Sequence, residues 1–163
     1  MSDTASATRP PSAPGRIDPR GPRFGAALTA VLLLATLVLD LQGLRVASLV
    51  LVALIVALFA WGAIAGIGRH PWGIVFKHLL RPRLSPPAEL EDAAPPTFAQ
   101  LVGLVITGVG LLLALVGVPH AVTVAAALAF VAASLNAAFA FCLGCELYVL
   151  LLRAGVIRRH TRA

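Results

Sequence analysis

Charged side chains are scarce in this sequence: they make up 12% of its 163 residues, against roughly a quarter in an ordinary soluble domain. From Phe98 to Cys145 there are 48 consecutive positions without Asp, Glu, Lys or Arg. A fold surrounded by water must cover itself with polar groups, so a run of that length excludes a soluble enzyme and calls for lipid. Cysteine is nearly absent as well, and two residues spaced three apart cannot staple a secreted scaffold. Proline is missing from every long apolar run; all 12 prolines lie outside them, as membrane-spanning helices require. A cleaved secretory leader is not expected either. The first 23 residues carry five prolines and four arginines, and no small-x-small cleavage site follows the first apolar block.

What is present fits a bilayer. Apolar residues reach 59% and the mean hydropathy is +0.92. Thirteen basic residues against seven acidic ones give a net charge of +6. The arginines flank apolar blocks instead of alternating with aromatics on an amphipathic face. Their expected counter-charge is therefore the anionic headgroup layer and not nucleic acid.

Four runs reach the roughly 20 residues a helix needs to cross the hydrocarbon layer. They cover residues 24–43, 46–68, 98–118 and 121–143, and apolar character continues to Leu152. The expected fold is all-α: a polytopic integral membrane protein with four transmembrane helices in two hairpins over residues 24–152. Residues 1–23 read as a disordered tail and 153–163 as a basic C-terminal tail. Within the loop 69–97, Trp72, Val75, Phe76, Leu79 and Leu80 fall at helical spacing opposite Lys77, His78 and Arg81, which predicts a short interfacial amphipathic helix. From Arg81 to Pro96, five prolines with Glu89, Glu91 and Asp92 predict a solvated linker without regular structure. Of the 13 Lys and Arg residues, 12 lie in the tails and the long loop. Positive-inside bias then puts both termini and that loop in the cytoplasm, the chain being a multi-pass component of the inner (plasma) membrane.

Lipid tails are as apolar as leucine, so spans associate through small residues and buried polar groups. Gly103, Thr107, Gly110, Ala114 and Gly117 form one stripe on the third span, expected to pack against the alanine-rich fourth. Asn136 is the most polar side chain deep in a span. It is a candidate functional residue, although an interhelical hydrogen bond that fixes register is the favoured role.

Cys142 and Cys145 share a helical face, with Glu146 adjoining, and about 20 residues counted inward from Ala121 place them at the cytoplasmic boundary. The spacing suits a thiolate that attacks a disulfide or sulfane sulfur while the second cysteine resolves the intermediate. The opposing reading is that two small thiols fill a helix seam. Zinc would need His70 and His78 from the loop, a set that their spacing does not suggest; no metal and no cofactor is expected. A span's C-terminal dipole and Glu146 both disfavour thiolate. A break at Gly144 would instead aim fresh N-terminal amides at Cys142, and Arg20 or Arg23 would neutralise Glu146.

Asp18, Pro19 and Arg20 with Arg23 and Phe24, Pro95 and Pro96 with Phe98, Ala99 and Gln100, and Leu135, Asn136 and Ala137 leading to Cys142, Leu143, Gly144 and Cys145 form a distinctive combination. In these motifs, from about Ile17 to Arg153, the chain resembles the bacterial membrane family called domain of unknown function 4395. The resemblance implies a four-helix membrane protein, common in actinobacteria, often encoded near thioredoxin-like or sulfurtransferase proteins, and hence a cytoplasmic partner of that kind. Thr97 stands where the family's proline-phenylalanine motif carries a basic residue.

Together these readings give an inner-membrane accessory of thiol-disulfide exchange or sulfur transfer. Cys142 and Cys145 would be the reacting pair, Glu146 the proton partner, and Arg20 and Arg23 contacts for an anion or partner protein. The rival is a non-enzymatic scaffold or small permease-like bundle in which the cysteines only pack. Assembly with further copies of the chain stays open. A quinone-coupled thiol oxidase is disfavoured, because it needs a thiol pair on the oxidising side and a shuttle pair.

Overall fold

Helices that meet in lipid approach closely only where side chains are small, and the computed structural model, which describes residues 15–157, is organised by that requirement. Expectations for residues 1–14 and 158–163 lie outside the described residues. Four long helices, α1 (Arg20–Leu41), α2 (Arg45–Ala65), α4 (Ala94–Leu115) and α5 (Ala121–Phe139), are long and apolar enough to cross a membrane. Between α2 and α4 lies the short α3 (Pro71–Val75), continued by a wide turn over Phe76–Leu80. After α5 the chain forms a separate helix, α6 (Leu143–Arg153).

In the bundle, α1 packs against α2 and α5, and α4 against the same two, closing a four-membered ring; α6 lies against α4. One buried cluster joins Leu33, Ile55, Ala126 and Ala129, and a second joins Val52, Ala114 and Val122. The outer face is apolar instead of polar: Val31, Val50, Ile64, Val105, Leu112, Val124 and Leu128 are all exposed. Such a surface suits hydrocarbon and not water. The buried hydroxyls of Thr36 and Thr107 donate to the carbonyls of Leu32 and Gly103 one turn back, at 2.9 and 2.7 Å, and so are satisfied within their own helices.

The stripe on α4 does not face one neighbour. A Cβ on Gly103 would fall 2.5 Å from the Phe59 ring of α2, and one on Gly110 2.2 Å from Ala125 Cβ of α5. Ala114 joins both helices through the second cluster. Gly117 is outside the stripe, in the turn after α4 at φ 89°, a conformation glycine adopts without a Cβ penalty. The stripe thus sits in the groove between α2 and α5, because a bundle ring gives each helix two neighbours.

Order also reaches further than the apolar runs. Residues 15–23, expected as tail, include β1 (Arg16–Ile17), paired antiparallel with β2 (Glu91–Asp92) inside the supposed linker. A helical turn over Arg81–Arg83 adds further order there. α4 begins at Ala94 with Pro95 and Pro96 in its first turn, where a missing N–H costs nothing. The predicted amphipathic segment is α3 with its following turn. Phe76 is buried against Phe24, ring centroids 6.0 Å apart, while Lys77 and His78 are exposed. His70 caps α3: its Nδ1 accepts from the Trp72 N–H at 3.3 Å, and its Nε2 lies 3.2 Å from the Leu58 carbonyl. Burial lowers its pKa.

At the opposite end, Asp40 accepts hydrogen bonds from Ser48 on α2 (3.0 Å) and from Thr123 on α5, while Arg45 donates to the Ala114 carbonyl of α4 at 2.8 Å. Polar residues at and beside the α1–α2 turn therefore tie all four spans together.

Candidate functional site

Span four is interrupted, and the interruption builds the site. Apolar sequence runs from Ala121 to Leu152, well beyond the roughly 20 residues that cross a bilayer. The chain uses the excess to end one helix and begin another. Ala140 takes the left-handed conformation at φ 57°. Its N–H bonds the Asn136 carbonyl at 3.1 Å, and the Phe141 N–H bonds the Leu135 carbonyl at 3.3 Å, a left-handed helix cap with alanine in the place glycine usually takes. Cys142 is then extended at the N-cap of α6, and its carbonyl accepts from the Glu146 N–H at 3.0 Å.

Gly144 seats this new helix on the bundle. A Cβ there would come within 2.6 Å of both Cα and Cβ of Ala99 on α4, so only glycine permits the approach. One turn along, the Tyr148 ring meets Phe98, centroids 5.6 Å apart. The residue pair Phe98 and Ala99 thus forms the seat for the cysteine-bearing helix.

Both cysteines are free and half-buried. Hydrogen bonding from the Cys145 side chain acts most strongly to lower the Cys142 thiol's pKa, and the backbone N–H groups of Cys145 and Gly144 act in the same direction. Together these outweigh burial and the nearby Glu146 charge, and the Cys142 thiol is pushed down to about 7. Cys145 is held well above the ordinary thiol range by donating that hydrogen bond, by burial, and by the negative charge of Cys142, Glu91 and Glu146. The mutual influence of the two thiols, helped by the neighbouring N–H groups, favours a single negative charge on the pair, at Cys142. The break lies four residues before the Gly144 position considered from sequence, and its electrostatic effect has the same sign.

The other candidate residues are placed differently from expectation. Arg20 pairs with Asp18 and not with Glu146. Its guanidinium forks onto Asp18, Nε to Oδ1 at 3.0 Å and Nη2 to Oδ2 at 2.9 Å, and Nη2 also reaches the Ser85 carbonyl at 2.9 Å. A carboxylate two residues away offers bidentate geometry that a distant glutamate cannot match. Burial would raise the Asp18 pKa, but the bonds from Arg20 and the charges of Arg20 and Arg81 hold it below the usual carboxylate range. Arg23 donates to the Ala137 carbonyl at 3.3 Å, near the end of α5. Glu146 is exposed, in the first turn of α6, without an ion-pair partner among the described residues. Asn136 is half-buried and its side chain makes no hydrogen bond among the described residues, so the expected register bond is not found. Thr97 accepts from the Ile67 N–H at 3.2 Å, a role a basic side chain there would not fill. Glu91, whose charge acts on Cys145, and Ala140, at the break, were not singled out from sequence; the overlong fourth apolar run was the available signal for the latter.

Four apolar spans in a closed ring, with an apolar exterior, define a polytopic α-helical membrane protein. The chain belongs to the family described as domain of unknown function 4395, whose model matches residues 17–153. No curated protein and no solved structure matches it significantly.

Proposed function

We propose that the chain is a membrane-embedded accessory of thiol-disulfide exchange or sulfur transfer, inserted with both termini and the cysteine pair on the cytoplasmic side. The observation that supports this best is the helix break that makes Cys142 the N-cap of α6, with Cys145 one turn inside. The Cys142 thiolate attacks one sulfur of a partner disulfide, forming a mixed disulfide and releasing the partner's other sulfur as thiolate. Cys145 then gives up its proton, with exposed Glu146 as its acceptor, and attacks the Cys142 sulfur. The partner leaves as a dithiol, reduced by two electrons, and the pair is left as a Cys142–Cys145 disulfide. Restoring it requires a dithiol reductant such as a thioredoxin-like protein. With a persulfide donor, the same thiolate takes the outer sulfur and the donor departs as thiolate. Orientation rests on the basic residues, 12 of 13 of which lie in the tails and long loop.

Membrane-impermeant alkylation of the native protein tests the reading. Cys142 should be modified in inverted vesicles and protected in right-side-out ones, and Cys142→Ser should sensitise cells to thiol or sulfur stress. If both thiols stay unreactive and Cys142→Ser has no phenotype, the cysteines only pack and the chain is a scaffold. Solute flux in proteoliposomes that survives loss of both cysteines would identify a permease-like bundle instead.

A further inference from the structure

A second feature at the same end of the bundle is independent of the thiols. An open groove of about 320 Å³ lies between the start of α1, the Phe76–Leu80 turn and the end of α5. Arg20 and Arg23 stand at its edge, and Phe24, Ala27, Phe76 and Leu80 form its walls. Arg20, Arg23 and Ala27 share one helical face, so the groove passes from cationic at the mouth to apolar one turn deeper. That gradient matches a phospholipid, with a charged headgroup above an acyl chain.

Charge selects the kind of lipid. Asp18 is already shared between Arg20, which forks onto it, and Arg81, whose charge also acts on it. Lys77 and Arg81 each directly follow a lining residue. Arg23 faces no carboxylate among the described residues, and its one hydrogen bond, to Ala137, leaves further N–H donors unused. We infer that this groove binds an anionic phospholipid, with the phosphate held by Arg23 and an acyl chain laid along Phe24 and Ala27. A zwitterionic lipid would bring its own cation against this surplus, and free phosphate would leave the apolar walls uncovered.

Native mass spectrometry of the full chain, released from nonionic detergent after incubation with phosphatidylglycerol, phosphatidylcholine or inorganic phosphate, tests the inference. Phosphatidylglycerol should be retained in preference to phosphatidylcholine. Its affinity should fall about five-fold in Arg23→Gln, the worth of one basic residue at the headgroup layer. Ala27→Trp, which fills the groove without altering charge, should lower retention too, and Arg69→Gln, outside the groove, should not. Equal retention of the two lipids overturns the inference, and is what a second copy or the N-terminal segment seated in the groove would give. So does equal retention by Arg23→Gln and the unaltered chain, or displacement of the lipid by phosphate. Should Arg23→Gln fail to fold, the comparison of the two lipids on the unaltered chain still decides.

Discussion

Replacing Ala140 by glycine separates a broken fourth span from a continuous one by the sign of a stability change. Ala140 holds φ 57° and ψ 21° between α5 and α6. A left-handed conformation costs a residue with a Cβ about 1–2 kcal/mol. Glycine removes that strain, while its freer unfolded chain takes back about 0.5–1 kcal/mol. The expected net effect is a stabilisation of about 0.5–1 kcal/mol. Had α5 run on through this position, the same change would cost about 1 kcal/mol of helix propensity. The two alternatives therefore differ by roughly 1.5–2 kcal/mol, well within the reach of unfolding by sodium dodecyl sulfate in mixed micelles followed by circular dichroism. Ala132→Gly, inside α5, is the control and should destabilise. If Ala140→Gly destabilises as much as that control, span four is unbroken, Cys142 is not a helix cap, and the electrostatic account of the pair fails with it.

Three further outcomes follow from particular contacts. Gly110→Ala places a methyl 2.2 Å from Ala125 Cβ, far inside the usual separation of about 3.5–4.0 Å. No rotamer relieves this, so a loss of about 2 kcal/mol is expected after the gain in helix propensity. Adding Ala125→Gly should restore near-normal stability in the same micelle assay, and failure of that rescue would refute the α4–α5 seam. The alkylation rate of Cys142 should rise with pH to half its limit near pH 7. In Cys145→Ala that midpoint should move upward, because the thiol that donates to the Cys142 sulfur is gone; an unmoved midpoint would refute the pairing. Asp18→Asn should lower stability by removing the charged acceptor of Arg20. Because the folded Asp18 pKa is depressed, its contribution is complete above the ordinary carboxylate value of about 3.9. It is lost as pH falls through the folded value, so the gap in melting temperature between the two chains should close in strong acid.

Much of the architecture is legible without coordinates because the bilayer imposes a one-dimensional rule. A helix of fixed rise must carry enough apolar residues to cross a layer of fixed thickness, and runs of side chains report this directly. Four spans, proline-free interiors and the lopsided distribution of arginine all follow from local composition. So does the amphipathic segment at Trp72–Leu80, whose periodicity is local as well. Candidate chemistry was legible only as a spacing: Cys142, Cys145 and Glu146 are adjacent in sequence, and their adjacency says nothing of the helix that carries them.

Tertiary structure decided the rest, wherever two choices were equal in local cost. A 22-residue helix such as α4 has small residues on more than one side, and only the ring of four helices determined that Gly103 meets Phe59 while Gly110 meets Ala125. Arg20 forks onto Asp18, two residues away, but only the fold brings the Ser85 carbonyl, 65 residues on, to the same guanidinium. The excess length of the fourth apolar run was visible, but an alanine carries no mark of the left-handed conformation it must adopt. The close seat of Gly144 on Ala99 accompanies the second helix of that run, and with it the position of Cys142 at a helix start. Composition determines what lies in lipid because transfer from water is additive along the chain; contacts between distant residues are not additive, and they set which helix faces meet and where the cysteine-bearing helix is seated.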